Sequence, residues 1–563
     1  MAVETARKRL GQILVDAGFV DAGALEEALK RQQVSRQPLG QILQAEGLIS
    51  RDDVAAALSL QFDTPLIDLG LEETQEAALR LVPESFAREH HLLPLRIQGA
   101  MVVVAMAFPD DKRTILELQK RTNLGIRPFL APREDIDQLI TQRYRVIGDV
   151  VTAVERYEVE HKPSPQFVAP LLVGVDENAP VVQIVNLIFT QALRDRASDV
   201  HVEPQERDVS IRFRIDGTLH EATRLPKDVG PAIVSRLKVM ANLNIVEKRR
   251  SQDGQIQLTM DGREADVRVS TIETIWGEKA VMRMLDKSRA LINVEELGME
   301  SGVLERYQEL LKAPFGMVLV VGPTGSGKTT TLYASVNELD RVSRNIMTIE
   351  DPVEYIIEGT SQVPINPTAG RTFASGLRSL LRQDPDVILV GEIRDQETVE
   401  IAMNSALTGH LVLSSLHSID TVGSVFRLVD LGVPRFMITS STVAIIAQRL
   451  VRRLCERCKV ERRPQIVEAA LLRQAKLSAD TVFGPGGCNY CSNTGYLGRV
   501  GVFELLIFGD EIRAAVNEGG SAQELRTKAL RAGLVTLRDA ALQKVVEGLT
   551  SPADVLAILQ GAG

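Results

Sequence analysis

The chain has 563 residues, 44% hydrophobic, 25% charged and 4% aromatic, with 65 Lys and Arg against 74 Asp and Glu for a formal charge of −9. Such a length exceeds one hydrophobic core, so several domains are expected, and the acidic balance weighs against a general nucleic-acid binder. The longest apolar runs, such as Met317 to Val321, fall far short of the roughly 20 residues of a bilayer span, and MAVETARKRL lacks the apolar segment of a secretory signal; a cytoplasmic protein is expected.

In chain order, RLGQILVDAG from Arg9 to Gly18 returns as PLGQILQAEG from Pro38 to Gly47. The two copies align without gaps, pairing Gly11 with Gly40, Leu14 with Leu43, Leu25 with Val54, Leu29 with Leu58 and Gln32 with Gln61. Leu25, Leu29 and Gln32 share one helical face, so each copy predicts a loop and a helix, and 1–62 a pseudo-symmetric pair. Residues 63–143 mix strands such as MVVVAMAF with helices such as REDIDQLITQRY and are expected to be α/β; together 1–143 form an N-terminal regulatory or docking domain. A linker is expected over 144–180, broken by Pro163, Pro165 and Pro170. The next domain, 181–290, opens with the amphipathic VVQIVNLIFTQAL and contains VSIRFRIDGTLHEA, whose alternation into Asp216–Gly217 is a hairpin signal.

From about 291 to 451 apolar strands alternate with helices, the pattern of a parallel α/β sheet. GPTGSGKTT, Gly322 to Thr330, fits the phosphate-binding loop and lies between an apolar strand and a helix pattern. Gly322 and Pro323 would shape its turn, and the backbone N–H groups of Thr324, Gly325, Ser326, Gly327 and onward would cradle ATP phosphates. Lys328 would reach the β and γ phosphates, Thr329 would hold Mg²⁺, and Thr330 closes the segment. DPDVILVGEIRD ends a strand at Glu392, the place of an acid beside Mg²⁺ in such enzymes. TIEDPVEY adds Glu350, Asp351 and Glu354, where a carboxylate could polarise water. His410 and His417 flank the strand LVLSSL; a pair of histidines near a phosphate loop is expected to sense the γ-phosphate or relay its loss.

Further on, Cys455 and Cys458 (CERC) and Cys488 and Cys491 (CNYC) form two C-x-x-C pairs. Four thiolates close a structural tetrahedral Zn²⁺ site, expected within a subdomain over 452–500, ahead of a helical region over 501–563.

GPTGSGKTTTLY, TIEDPVEY, LRQDPDVILVGEIRD and ALTGHLVLSSLHS, in that order, together with ASDVHVEP, RFRIDG, SRLKVMANLNIVEKRRSQDG and DVRVST, resemble the secretion-superfamily ATPases of type II secretion and type IV pilus assembly. The resemblance spans about 181–510. It implies a homohexamer in which a PAS-like α+β domain at 181–290 packs against a neighbour's RecA-like ATPase domain, with Thr329 and Glu392 serving Mg²⁺ and water and Glu354 assisting. It implies that arginines of the PAS-like domain, with Arg214, Arg236 and Arg249 as candidates, reach a neighbouring triphosphate. It also implies an inner-membrane platform protein and a cytoplasmic docking partner, with peripheral recruitment to the membrane and no nucleic-acid substrate. Ser251 and Gln255 depart from the usual KRxPQDGR, and HSID replaces HTND. The tetracysteine insert resembles assembly and secretion members rather than retraction motors.

The tandem pattern RLGxxLxxxG…LxxALxxQ resembles the cyclic di-GMP-binding domain found on some of these ATPases. It implies that Arg9, Leu10, Gly11, Leu14, Leu25, Leu29 and Gln32, with Leu39, Gly40, Leu43, Val54, Leu58 and Gln61, meet the two halves of the dinucleotide. A helical bundle that only docks a partner is the competing reading. For the whole chain the rivals are a hexameric nucleic-acid translocase and a dinucleotide-sensing scaffold with residual ATPase activity.

Overall fold

In the computed structural model the described residues are 10–35, 37–72, 74–144, 154, 157, 179–260, 263–286 and 292–560. Almost all of the expected linker, and Arg9, lie outside them. The chain divides into two compact units, one of residues 1–254, 269–282 and 488–493, the other of 255–268, 283–487 and 494–563.

The first unit begins with four helices, α1 (Leu10–Asp16), α2 (Ala22–Ser35), α3 (Leu39–Ala45) and α4 (Arg51–Phe62). Each repeat is therefore a short and a long helix, where a loop and one helix were expected. Gly18 and Gly47, at φ of +76° and +69°, make the equivalent turns that a Cβ would strain. Ile13, Leu14, Ala28, Ile42, Leu43 and Ala57 form a shared core. Next comes a three-stranded sheet of β1 (Leu92–Gln98), β2 (Met101–Met106) and β3 (Gly125–Leu130), antiparallel then parallel.

A six-stranded sheet follows, of β4 (Asp199–Pro204), β5 (Asp208–Ile215), β6 (Thr218–Pro226), β7 (Gln252–Met260), β8 (Arg263–Thr274) and β9 (Gly277–Asp286), in the order β6-β5-β4-β9-β8-β7. The expected hairpin is β5–β6; Asp216 and Gly217 both take positive φ, 48° and 88°, the two-residue turn that suits strand twist.

The second unit is built on a seven-stranded sheet. Its strands are β10 (Gly316–Val321), β11 (Ile346–Glu350), β12 (Ser361–Pro364), β13 (Val387–Val390), β14 (Leu411–Leu416), β15 (Thr442–Leu454) and β18 (Tyr496–Ile507). The order is β12-β11-β13-β14-β10-β15-β18, parallel except for β18. Along β10, Met317, Leu319 and Val321 enter one core and Val318 and Val320 the other. A strand covered on both faces must be apolar at every position, which is why MVLVV shows no alternation. Burying each such side chain stabilises by about 1.5–3 kcal/mol. The ribbon of β16 (Val460–Arg462) and β17 (Val482–Gly484) lies in the insert between β15 and β18. The expected boundary at 500/501 falls inside β18, so a strand opens what was expected to be a helical region. The chain returns to complete the ATPase sheet after the cysteine insert.

Candidate active site

The phosphate loop leaves β10 at its C-terminal end. A Cβ at Gly322 would stand 2.5 Å from Ser326 Oγ and 2.7 Å from the Gln448 carbonyl oxygen, and Gly327 combines φ of +90° with Gln448 Nε2 at 2.8 Å from where its Cβ would be. Only glycine fits either place. Pro323, Thr324 and Gly325 form an exposed rim, and Thr329 and Thr330 are exposed at the start of the helix Lys328–Glu338. Lys328 Nζ donates to the carbonyls of Gly322 (2.9 Å) and Pro323 (3.0 Å). Burial pushes its pKa down to about 8, Glu392 opposing and Arg449 reinforcing the fall. Ser326 Oγ is buried without a hydrogen-bond partner. A half-buried ammonium, an unpaired buried hydroxyl and a helix N-terminus form a donor set that fits a triphosphate.

Sheet order gathers the remaining groups, because β13 and β11 end on the same edge as β10. Glu392, just after β13, accepts from Arg394 and lies 3.4 Å from His417 Nε2; His417 follows β14, the strand between β13 and β10. Glu350, at the end of β11, is buried and accepts from Tyr333, from Thr348 Oγ1 at 2.5 Å and from Gln362 Nε2 at 3.2 Å. Glu354 is part-exposed and is gripped by the Arg268 guanidinium, Nη2 to Oε2 at 2.7 Å and Nη1 to Oε1 at 3.3 Å, a two-point, charge-assisted contact.

His410 is not with them. Its backbone carbonyl accepts from Gly316 N (3.0 Å), at the start of β10, and its ring Nδ1 meets the Ser405 carbonyl at 2.9 Å. Six strand residues at about 3.3 Å each put roughly 20 Å between the two edges, so of the two histidines only His417 lies at the edge that carries the phosphate loop. The candidate arginines belong to the first unit. Arg214 bonds the Gly217 carbonyl at 2.9 Å, Arg236 has a buried Nε without a hydrogen bond, and Arg249 is exposed with Glu247 at 3.8 Å.

Sequence reasoning missed Arg268, although it sits in the quoted DVRVST, because its contact with Glu354 joins residues 86 apart. It also missed Gln448 on β15, whose side chain accepts from Thr331 Oγ1 at 2.7 Å behind the phosphate loop.

The sulfurs of Cys455, Cys458, Cys488 and Cys491 lie within 4.8 Å of one another. Backbone N–H groups of Gly487 and Cys488 donate to Cys458 Sγ (3.2 Å) and Cys491 Sγ (3.3 Å), contacts that favour thiolates. The Cys488–Cys491 sulfur separation is 3.8 Å, and a tetrahedron with Zn–S near 2.3 Å has edges of about 3.8 Å. The four residues fit Zn²⁺.

In the repeat, Leu14 and Leu43 are fully buried in the four-helix core, which corrects their expected role as ligand-facing surfaces. A Cβ at Gly11 would meet Leu25 Cδ1 at 2.9 Å, and one at Gly40 would meet Val54 Cγ1 at 3.1 Å. Leu10, Leu25, Val54 and Leu39 therefore belong to the packing of the helix pairs. Leu29 is exposed, and Leu58 and Gln32 are part-exposed, with Gln32 Nε2 donating to the Gln37 carbonyl at 3.2 Å.

The family described as Type II/IV secretion system protein matches residues 175–557, and the MshEN domain matches 62–148. The chain belongs to the type II/IV secretion system protein family. This secretion ATPase is 40% identical to the type IV pilus assembly ATPase PilB of Myxococcus xanthus, over 97% of this chain and 98% of that one. It is also 40% identical to type II secretion system protein E of Dickeya dadantii, over 85% of this chain and 97% of the relative. The Legionella pneumophila ATPase DotB shares its fold at 20% identity, with a TM-score of 0.51 over 71% of this chain and 98% of that chain. The phosphate loop, both acidic segments, His417 and the four cysteines all fall inside the family match, and the chain is an ATP hydrolase. The MshEN match begins at the end of the repeat. No helix among the described residues is long and apolar enough to cross a membrane.

Proposed function

We propose that this secretion ATPase works as a homohexamer, hydrolysing ATP to drive type IV pilus assembly or type II secretion through an inner-membrane platform protein. The observation that carries this reading is the convergence of Lys328, Glu392 with His417, and Glu354 with Arg268 in one unit of a chain 40% identical to a pilus assembly ATPase. Lys328 and the loop N–H groups hold the triphosphate. Thr329 and Glu392 would hold Mg²⁺, which supplies charge neutralisation on the phosphates. Glu392 and Glu354 orient the attacking water, and His417, against Glu392, registers loss of the γ-phosphate. Domain closure around nucleotide and release after hydrolysis supply the mechanical step.

The domain at 181–290 is read as PAS-like, presenting Arg214, Arg236 and Arg249 toward a neighbouring subunit's nucleotide. Its six-stranded sheet with the basic segment Lys248–Arg250 supports that reading. The protein acts in the cytoplasm and joins the membrane through partners. The four cysteines hold Zn²⁺ as a structural ion. The pseudo-symmetric repeat takes up cyclic di-GMP through its exposed Leu29 and its part-exposed Leu58, Gln32 and Gln61, and so sets motor activity. Complementation tests the main reading: a null strain carrying Lys328→Ala lacks both surface pili and type II secreted protein, or lacks whichever one the machine makes. Full restoration of the lost phenotype by Lys328→Ala overturns it.

A further inference from the structure

Tyr333 lies one and a half turns into the helix that starts at Lys328, and its side chain is buried. Its hydroxyl donates to Glu350 and accepts from the backbone N–H of Glu354 at 3.1 Å. Burial, reinforced by Glu350, pushes its pKa up well beyond the ordinary tyrosine value, so the hydroxyl keeps its proton throughout the working range. Gln362 closes the same loop from the other side: its amide donates to Glu350 (3.2 Å) and to the Tyr355 carbonyl (3.0 Å), and its carbonyl accepts from Ile357 N (2.8 Å). The loop carrying Glu354 is thus fixed to the phosphate-binding helix through one phenolic oxygen.

We propose that Tyr333 is a positioning residue for ATP hydrolysis, holding the Glu354 backbone in register with the phosphate loop so that movement of Lys328 and movement of Glu354 are one motion. The inference rests on the reading that Glu354 takes part in turnover. A buried carboxylate has no catalytic use of its own at Glu350, because its oxygens are occupied by Tyr333, Thr348 and Gln362. It serves as the anchor that orients the phenol. A positioning hydrogen bond affects turnover more than ground-state binding, because a misplaced reacting group costs rate even when substrate still binds.

Tyr307 supplies the matched control. It too is a buried tyrosine bonded to this helix, but its hydroxyl meets Ser335 Oγ at 2.7 Å instead of a group of the acidic loop. The experiment is steady-state ATP turnover by the full chain and by Tyr333→Phe, Tyr307→Phe, Glu354→Gln and the double variant Tyr333→Phe/Glu354→Gln, with melting curves for each. Tyr333→Phe is expected to lower kcat about 10-fold with KM for ATP within about twofold, while Tyr307→Phe keeps kcat within about twofold. The double variant is expected to fall no lower than Glu354→Gln alone, the non-additivity of residues acting as a unit. Equal losses in the two tyrosine variants, or multiplicative losses in the double, overturn the proposal. A Glu354→Gln protein with full kcat instead refutes the role of Glu354, and with it any action of Tyr333 through that residue.

Discussion

At Lys328 two demands conflict: phosphate binding needs a cation, and burial against the loop removes water from it. Burial wins enough to bring the pKa to about 8. In the ligand-free enzyme the lysine is therefore charged below that pH and loses its proton above it. Because kcat/KM reports the free enzyme and kcat the complex, kcat/KM for ATP is expected to fall above pH about 8 while kcat holds to higher pH. A kcat/KM profile flat to pH 9.5 contradicts this. At Glu203 the charged form is favoured instead: burial alone would raise its pKa, but Arg212 at 2.6 Å and Lys279 at 2.7 Å outweigh burial and leave it at about 2. A carboxylate depressed below its unfolded value of about 4.3 stabilises fully above that value and loses the effect as pH falls toward 2. Glu203→Gln is thus expected to lower the melting temperature at pH 7 and to lower it less at pH 3, read by calorimetry.

Among the elements, the repeat and the cysteine insert show what pattern alone can and cannot reveal. Gly11 and Gly40 are equivalent in sequence but face different neighbours: the flexible tip of Leu25 at 2.9 Å and the stiff, β-branched Val54 at 3.1 Å. Alanine adds helix propensity at both, yet only Leu25 can turn aside. Gly40→Ala is expected to destabilise the bundle by about 1 kcal/mol more than Gly11→Ala, measured by amide exchange across residues 10–62. The insert is expected to bind about one Zn²⁺ per chain, the stoichiometry of a four-thiolate site. Elemental analysis checks the amount, and Cys488→Ser is expected to lose the metal. The phosphate loop and the C-x-x-C pairs were legible because their chemistry demands particular residues at fixed spacing. Leu14 and Leu43 were misread because helical periodicity marks a buried face without saying whether a core or a ligand covers it. His410 was misread because a strand's two ends are close in sequence and far apart in space, and Arg268 was missed because its partner is remote along the chain. The strand β18 was lost in a region expected to be helical, where pairing with β15 decides the structure.

For the whole molecule, the decisive feature is a parallel sheet whose order places the phosphate loop, the Glu392–His417 pair and the end of β11 on one edge. That arrangement was foreseeable in kind from alternating strands and helices, though strand order was not. It makes the chain a working enzyme rather than a scaffold that retains a nucleotide fold. Phosphate release by the purified full chain with ATP and Mg²⁺, compared across the native protein, Lys328→Ala and Glu392→Gln, tests this most directly. Sustained turnover by the native chain is expected, with each variant slower by at least about 100-fold while its melting curve stays native-like. Unchanged turnover in both folded variants would contradict the assignment of hydrolysis to this site.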